Sequence, residues 1–231
     1  MICECDRRYE QAASDLARRC LAKFDDTEAS PDLRTFSISV MVSQINSGNV
    51  AMHAHAPDIC KRLKDLTVLM QPATTIAAKD FHCEIINALC VIFDSLLEDI
   101  VCVGWMRPAV RYLVELVSCQ DTEVATSACG FWARRVSCIP GVVAAAFRRS
   151  WTKLITALMD QMIIRDNAES SAFASLREQA VAAFESVSEV CPPELFCATL
   201  RPLMERRIES DLWPEKESAI QALRASTNAG Q

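Results

Sequence analysis

Glycine is scarce in this chain: five residues in 231. That leaves little material for tight hairpins or phosphate-cradling loops, and the abundance of Ala, Leu, Glu and Arg favours helices joined by short connections. Histidine is scarcer still, with three residues, and there is no Gly-rich phosphate loop, nucleophile elbow or H-E-x-x-H motif. Few general bases and no activated-nucleophile signature predict a protein that is not an enzyme. Long apolar runs are also missing. The most apolar stretches, such as "EIINALCVIFDSLLEDIVCVGWM" with its Asp94, Glu98 and Asp99, are broken before they reach the ~18 residues of a membrane span. The N-terminal "MICECDRRYEQ" turns charged within a few residues and lacks the apolar core of a secretory signal.

Positive charge is in deficit too. Lys plus Arg is 24 against 30 Asp plus Glu, a formal net charge of −6. A general nucleic-acid binder needs a basic patch to neutralise phosphates, so a basic protein partner fits this balance better.

What the chain has in quantity is apolar side chain, 51% of residues, enough to bury a sizeable core. Its twelve cysteines are spread along the whole length, mostly inside apolar helical patterns such as those of Cys90, Cys129 and Cys197. Cysteine used as a small buried hydrophobe points to a reducing compartment, cytoplasm or nucleus. Three short groups invite a metal reading: Cys3 with Cys5, His53 with His55, and His82 with Cys83. None has the paired spacing of a structural zinc site, so no metal and no cofactor are expected. His82 reads as the polar edge of a packed helix, and His53 and His55 as a loop before Pro57.

The stretch "DTEVATSACGFWARRV" places Val124, Ala128, Cys129, Trp132 and Val136 on one helical face, behind an acidic start at Asp121 and Glu123. The same plan recurs in "ASLREQAVAAFESVSEV" with Leu176, Ala180, Val181, Phe184 and Val187, and in "LWPEKESAIQALRAS" with Ala219, Ile220 and Leu223. Upstream it appears with Phe81, Ile85, Ile86 and Leu89, and with Leu33, Ser37, Ile38 and Met41. Five copies recurring at roughly 40 to 50 residues, each preceded by a second periodic helix, predict a HEAT-repeat α-solenoid. The fold class is therefore all-α, a superhelix of about four to five antiparallel helix pairs at approximately 10–46, 58–97, 105–138, 150–190 and 193–226. Val124, Phe131, Trp132, Phe184 and Trp213 are assigned to its core. The last segment is followed by no amphipathic capping helix, so a longer array is expected.

Within that frame, "DTEVATSACGFW" resembles the helix D-E-x-V-A-x-x-A-x-E-F-W of importin-beta-like nuclear transport receptors, and "WTKLITALMDQMI" looks like the outer helix of their next repeat. The run from Leu176 to Leu223 is similar to the transportin branch, most of all at Trp213 to Ile220. The resemblance implies a superhelix that binds a nuclear localisation signal, of basic or PY type, and releases it to a Ran-type GTPase. It further implies residence in cytoplasm and nucleus. Transportins carry a long acidic loop within the repeat corresponding to Trp151 through Val190. Here only "RDNAESSAFAS", Arg165 to Ser175, stands in that place.

For the partner surface, Glu178, Glu185 and Glu189 share one face of the Leu176–Val190 helix, opposite its apolar stripe. An acidic stripe suits a Lys- and Arg-rich peptide through charge-assisted hydrogen bonds. The same spacing also fits a helix face that is merely solvated. A HEAT scaffold that holds a multi-subunit complex together, with no GTPase coupling, is the other function compatible with this fold.

Overall fold

In the computed structural model the residues described are 4–46, 55, 79–80, 82–83, 85–87, 89–90, 103–138, 148–163 and 171–228. Among them are eight α-helices with both ends described, further helical residues between 79 and 90, one 3-10 turn and no strand. The chain divides into two compact units, Met1–Ala109 and Val110–Gln231.

In the first unit, α1 (Glu4–Asp25) buries Ala13, Ala17, Cys20, Leu21 and Phe24, spacings of three and four residues that keep to one face. The helix ends at an Asx turn. Asp26 Oδ1 accepts from the Glu28 N–H at 3.1 Å, and the Asp26 carbonyl accepts from the Ala29 N–H at 3.2 Å. Ser30 then caps α2 (Pro31–Asn46), its Oγ accepting from the Leu33 N–H at 3.3 Å, with Pro31 at the first helical position. Arg34 closes the hairpin. Its Nε donates to the Phe24 carbonyl at 3.0 Å and its guanidinium lies 5.7 Å from the Phe24 ring centre. Of the expected inner face, Ser37 and Met41 are buried and Leu33 is exposed. Most of the proposed 58–97 repeat, including Phe81, lies outside the described residues; Ile85, Ile86 and Leu89 are helical and buried.

The second unit takes up α3 (Val103–Val117) from Val110 onward. Then follow α4 (Thr122–Arg135) with a 3-10 turn at Val136–Cys138, α5 (Arg148–Gln161), α6 (Ser171–Val190), α7 (Pro193–Glu209) and α8 (Trp213–Asn228). Asp121 caps α4: its Oδ1 accepts from the N–H groups of Glu123 at 2.9 Å and Val124 at 3.1 Å. Glu123 in the first turn and Arg134 and Arg135 in the last complement the helix dipole. Val124, Ala128, Cys129, Phe131 and Trp132 are all buried. Trp132 meets Phe131 edge-on at 5.5 Å, reaches Trp151 of α5 at 6.2 Å, and donates its indole N–H to the Leu113 carbonyl at 3.4 Å. Gln161, from the end of α5, donates at 2.7 Å to the Val117 carbonyl, one of the orphan acceptors at the end of α3.

The next layer repeats the device with smaller parts. α6 buries Leu176, Ala180, Ala183, Phe184 and Val187, and Phe184 stands edge-on to Phe196 of α7 at 5.6 Å. α4 and α6 approach closely because small residues line their seam. An added Cβ on Gly130 would sit 3.3 Å from Gln179 Oε1, and Ser186 Oγ donates to the Ala133 carbonyl at 2.9 Å.

Three expectations are corrected here. Trp213, assigned to the core, is 65% exposed. The inward face of α8 consists of Ser218, Ala219, Ala222 and Ala225, and nine residues, two and a half helical turns, put Trp213 diametrically opposite Ala222. Ile220 and Leu223, expected to match Cys129 and Trp132, are exposed as well, although Ala219 is buried. Trp132 and Phe184 are covered by an aromatic residue from the following helix, and among the described residues no helix follows α8. Finally, part of the expected Arg165–Ser175 loop is helix: α6 begins at Ser171, where Ala172 and Ala174 favour helical backbone. Residues 165–170 lie outside the described residues.

Candidate partner-binding surface

On α6 the buried stripe fixes which side faces outward. Glu178 and Glu189 are exposed and Glu185 is half-buried, all three on the face opposite Ala180, Ala183 and Val187. Eleven residues of helix separate the outer two by about 16 Å, the span of roughly five residues of an extended peptide. The side chains are thus held on a rigid element at positions that a chain lying along the helix can reach.

The acidity does not continue onto the neighbouring helices. With Val124, Leu176 and Glu215 as equivalents, the places of Glu178, Glu185 and Glu189 are taken by Thr126 and Ala133 of α4 and by Ser137 of the 3-10 turn that follows it. On α8 they fall to Glu217, Arg224 and Asn228. The α4 edge is basic instead. The Arg134 guanidinium folds over Gly130, 3.1 to 3.2 Å from where a Cβ would stand, beside Gln179 of α6. A glycine in the middle of an otherwise helical run is the signal that could have found this close approach.

The reading of the sequence also missed a buried cation in the same unit, paired with a half-exposed carboxylate. Arg207 is 1% exposed. One of its terminal nitrogens donates to the Met159 carbonyl at 2.8 Å and to Ser218 Oγ at 2.6 Å, and the other donates to Asp160 Oδ1. Burial pulls the guanidinium below its ordinary pKa, while the Asp160 carboxylate opposes that shift. The cluster joins α5, α7 and α8. Arg206 and Arg207 look interchangeable in "MERRIES", yet only Arg207 falls on the face that carries Phe196 and Leu200.

Of the metal candidates only His55, His82 and Cys83 are fully described. His82 is buried, His55 lies in a turn, and His53 and the side chains of Cys3 and Cys5 lie outside the described residues. Among the described residues no three His, Cys, Asp or Glu side chains form a group that could hold an ion. Burial pushes the thiol of Cys129 up to about 12 and that of Cys191 up to about 11, which removes the thiolate needed for nucleophilic chemistry. No helix among the described residues is long and apolar enough to cross a membrane.

The arrangement of the helices has a counterpart in a known structure. The chain matches the crystal structure of Kap121p, a karyopherin, bound to Nup53p, with a TM-score of 0.62 over 92% of its own length at 14% identity. The fold is an α-solenoid of the HEAT/armadillo type. The chain spans about a fifth, 21%, of the length of the Kap121p chain. A designed armadillo repeat protein is also similar, at 19% identity and a TM-score of 0.48 over 94% of this chain and 82% of that one. No family model matches the sequence, and no curated protein matches it. At these identities the likeness of the solenoid is one of fold.

Proposed function

We propose that this solenoid is a protein-binding segment of a nuclear import receptor of the importin-beta/transportin kind, working in cytoplasm and nucleus. It binds a localisation signal without covalent chemistry and without a cofactor. The observation that carries the reading is the acidic face of α6, Glu178, Glu185 and Glu189, displayed on a fold similar to that of a karyopherin. Carboxylates at fixed positions gain most from a partner that supplies several Lys or Arg in an extended segment, because each pair is charge-assisted and the summed field speeds encounter. Release follows when a Ran-type GTPase, bound elsewhere on the receptor, favours a curvature with lower affinity for the signal.

The test is fluorescence anisotropy of the purified chain with labelled basic and PY-type signal peptides, with and without GTP-loaded Ran. Binding of either peptide supports the reading, and weakening by GTP-loaded Ran would in addition locate GTPase coupling within this chain. Failure of both peptides to bind the folded chain removes it. A second reading, a scaffold without GTPase coupling, draws on the confinement of the acidity to one helix, since α4 presents neutral residues at the equivalent places. A scaffold predicts a fixed, nucleotide-insensitive set of partners in a pull-down.

A further inference from the structure

Gly130 lies in the interior of α4, where glycine is a poorer helix former than alanine. Backbone crowding does not account for it. The three atoms nearest to an added Cβ are all side-chain ends: Arg134 Nη2 at 3.1 Å, Arg134 Nη1 at 3.2 Å and Gln179 Oε1 at 3.3 Å. The missing methyl therefore makes room for one guanidinium and one amide. Helical side chains lean toward the N-terminus, which brings Arg134 back one turn onto Gly130, and Gln179 meets it there from α6. Arg134 is exposed, and among the described residues neither its guanidinium nor the Gln179 amide is engaged in a hydrogen bond or an ion pair. Three glutamates share a helix with Gln179, yet Arg134 pairs with none of them.

We propose, on the footing of the peptide-binding function, that Arg134 and Gln179 over Gly130 form a carboxylate site, and that its occupant is an Asp or Glu side chain beside the basic residues of the partner segment. An arginine fork takes both oxygens of a carboxylate in parallel, and the Gln179 amide can turn its NH2 to the same group. A guanidinium already laid against its own helix loses less freedom on binding than one that swings in water. The geometry also orders the charges. Gln179 and Ser186, seven residues apart, mark the edge of α6 turned to α4, where Ser186 Oγ donates to the Ala133 carbonyl. Gln179 lies about 100° round the helix from Glu178, so an acid at Arg134 avoids the glutamate face. A chain extended along the α4–α6 seam sends successive side chains to opposite sides. Its basic residues meet Glu178 and Glu185, and a residue adjoining one of them reaches Arg134. The recognised segment thus alternates cation and acid, whereas an unbroken run of Lys and Arg sets a like charge against Arg134.

The experiment is fluorescence anisotropy of the full chain with three labelled basic peptides that differ only at one position beside a lysine, which is Glu, Gln or Lys. The Glu peptide should bind about fivefold tighter than the Gln peptide, and the Lys peptide weakest. Arg134→Gln should level the Glu and Gln peptides, and Arg134→Glu should reverse the order. Gly130→Ala should keep or raise the unfolding midpoint while reducing the preference for Glu to below about twofold. A second measurement reads the site without any peptide: the Arg134 Nε–Hε NMR resonance, assigned by its loss in Arg134→Gln, is followed during titration with N-acetylaspartate N-methylamide or with sodium chloride at equal ionic strength. A saturable shift with the carboxylate alone is expected, and a shift no different from that of chloride overturns the proposal. Equal binding of the Glu and Gln peptides, or a Gly130→Ala chain that keeps the full preference, also overturns it, and leaves the binding of basic segments to α6 standing. Failure of all three peptides alongside a saturable shift removes the peptide-binding function and keeps the carboxylate site.

Discussion

Arg207 donates to Ser218 Oγ across 2.6 Å, and that bond pins α8, whose inward face offers only small residues, to the α5–α7 layer behind it. Ser218 passes the contact on, its hydroxyl donating to the Glu215 carbonyl at 2.7 Å one turn earlier in α8. Removing the guanidinium leaves the Met159 carbonyl without this donor and opens a void among three helices. Arg207→Ala should therefore cost about 2 to 4 kcal/mol, by loss of packing and the desolvation penalty of orphaned groups. Asp160→Asn takes the counter-charge from the buried Arg207 but keeps an oxygen that can accept from it, and Asp160 itself is 53% exposed, so this variant should cost less, about 1 to 2 kcal/mol. Urea denaturation of both variants checks the order; equal losses would contradict it.

Two tryptophans that look alike in the sequence should behave differently. Trp132 fills the layer between α4 and α5, and Trp132→Ala should cost about 3 to 5 kcal/mol. Trp213→Ala should change stability by about 0.5 kcal/mol or less, because the ring already faces water. A large loss at Trp213 would mean that the inward face of α8 has been misassigned.

That contrast marks how far the sequence could be read. Periodicity sufficed for α4 and α6, where a large aromatic at the right interval coincides with a following helix that covers it. In α8 the large apolar residues lie outward and alanine and serine lie inward, so an argument from hydrophobic size chose the wrong face. The acidic stripe on α6 was legible because three glutamates share an angle opposite a clear apolar stripe. The Arg207 cluster was not, since a buried cation is recognisable only once its acceptors, Met159, Asp160 and Ser218, are gathered from other helices. Arg134 over Gly130 was hidden for a similar reason: the close approach of α4 and α6 is a tertiary fact.

The cysteines should separate by burial when challenged with a thiol reagent. Cys197 is exposed, whereas Cys129 and Cys191 are buried and their thiols are pushed up to about 12 and about 11. At pH 8 Cys197 should be alkylated ahead of both, and Cys129 and Cys191 only at the rate of unfolding. Peptide mapping after timed quenching reads this directly. Labelling of Cys129 in step with Cys197 would be incompatible with the packed α4.

The α1–α2 hairpin carries an acid-sensitive turn. The Glu28 N–H, above all, together with Lys23, holds the Asp26 carboxyl below the usual carboxylate range. A carboxylate whose pKa is lower in the folded state stabilises that state at any pH above its unfolded value, and the contribution disappears as pH falls through the folded value. The window is therefore below about pH 4, where the unfolded group would already be protonated. The amide resonance of Glu28 should shift with a midpoint below that of a free aspartate, and Asp26→Asn should abolish the shift.

Charge removal on α6 tests the partner surface, with circular dichroism of the variant as the check that the helix is kept. Glu178, Glu185 and Glu189 stand on the face opposite Ala180, Ala183 and Val187, so replacing all three with Gln removes three negative charges while keeping side-chain size and the buried stripe. For a basic peptide the triple variant should bind about tenfold or more weaker, a loss of about 1.4 kcal/mol, and its affinity should depend less on salt because fewer ion pairs are screened. A PY-type peptide, held by apolar contact as well as charge, should lose less. Equal weakening of both peptides would point to a general change in the helix, and no weakening of either would place the binding surface away from α6.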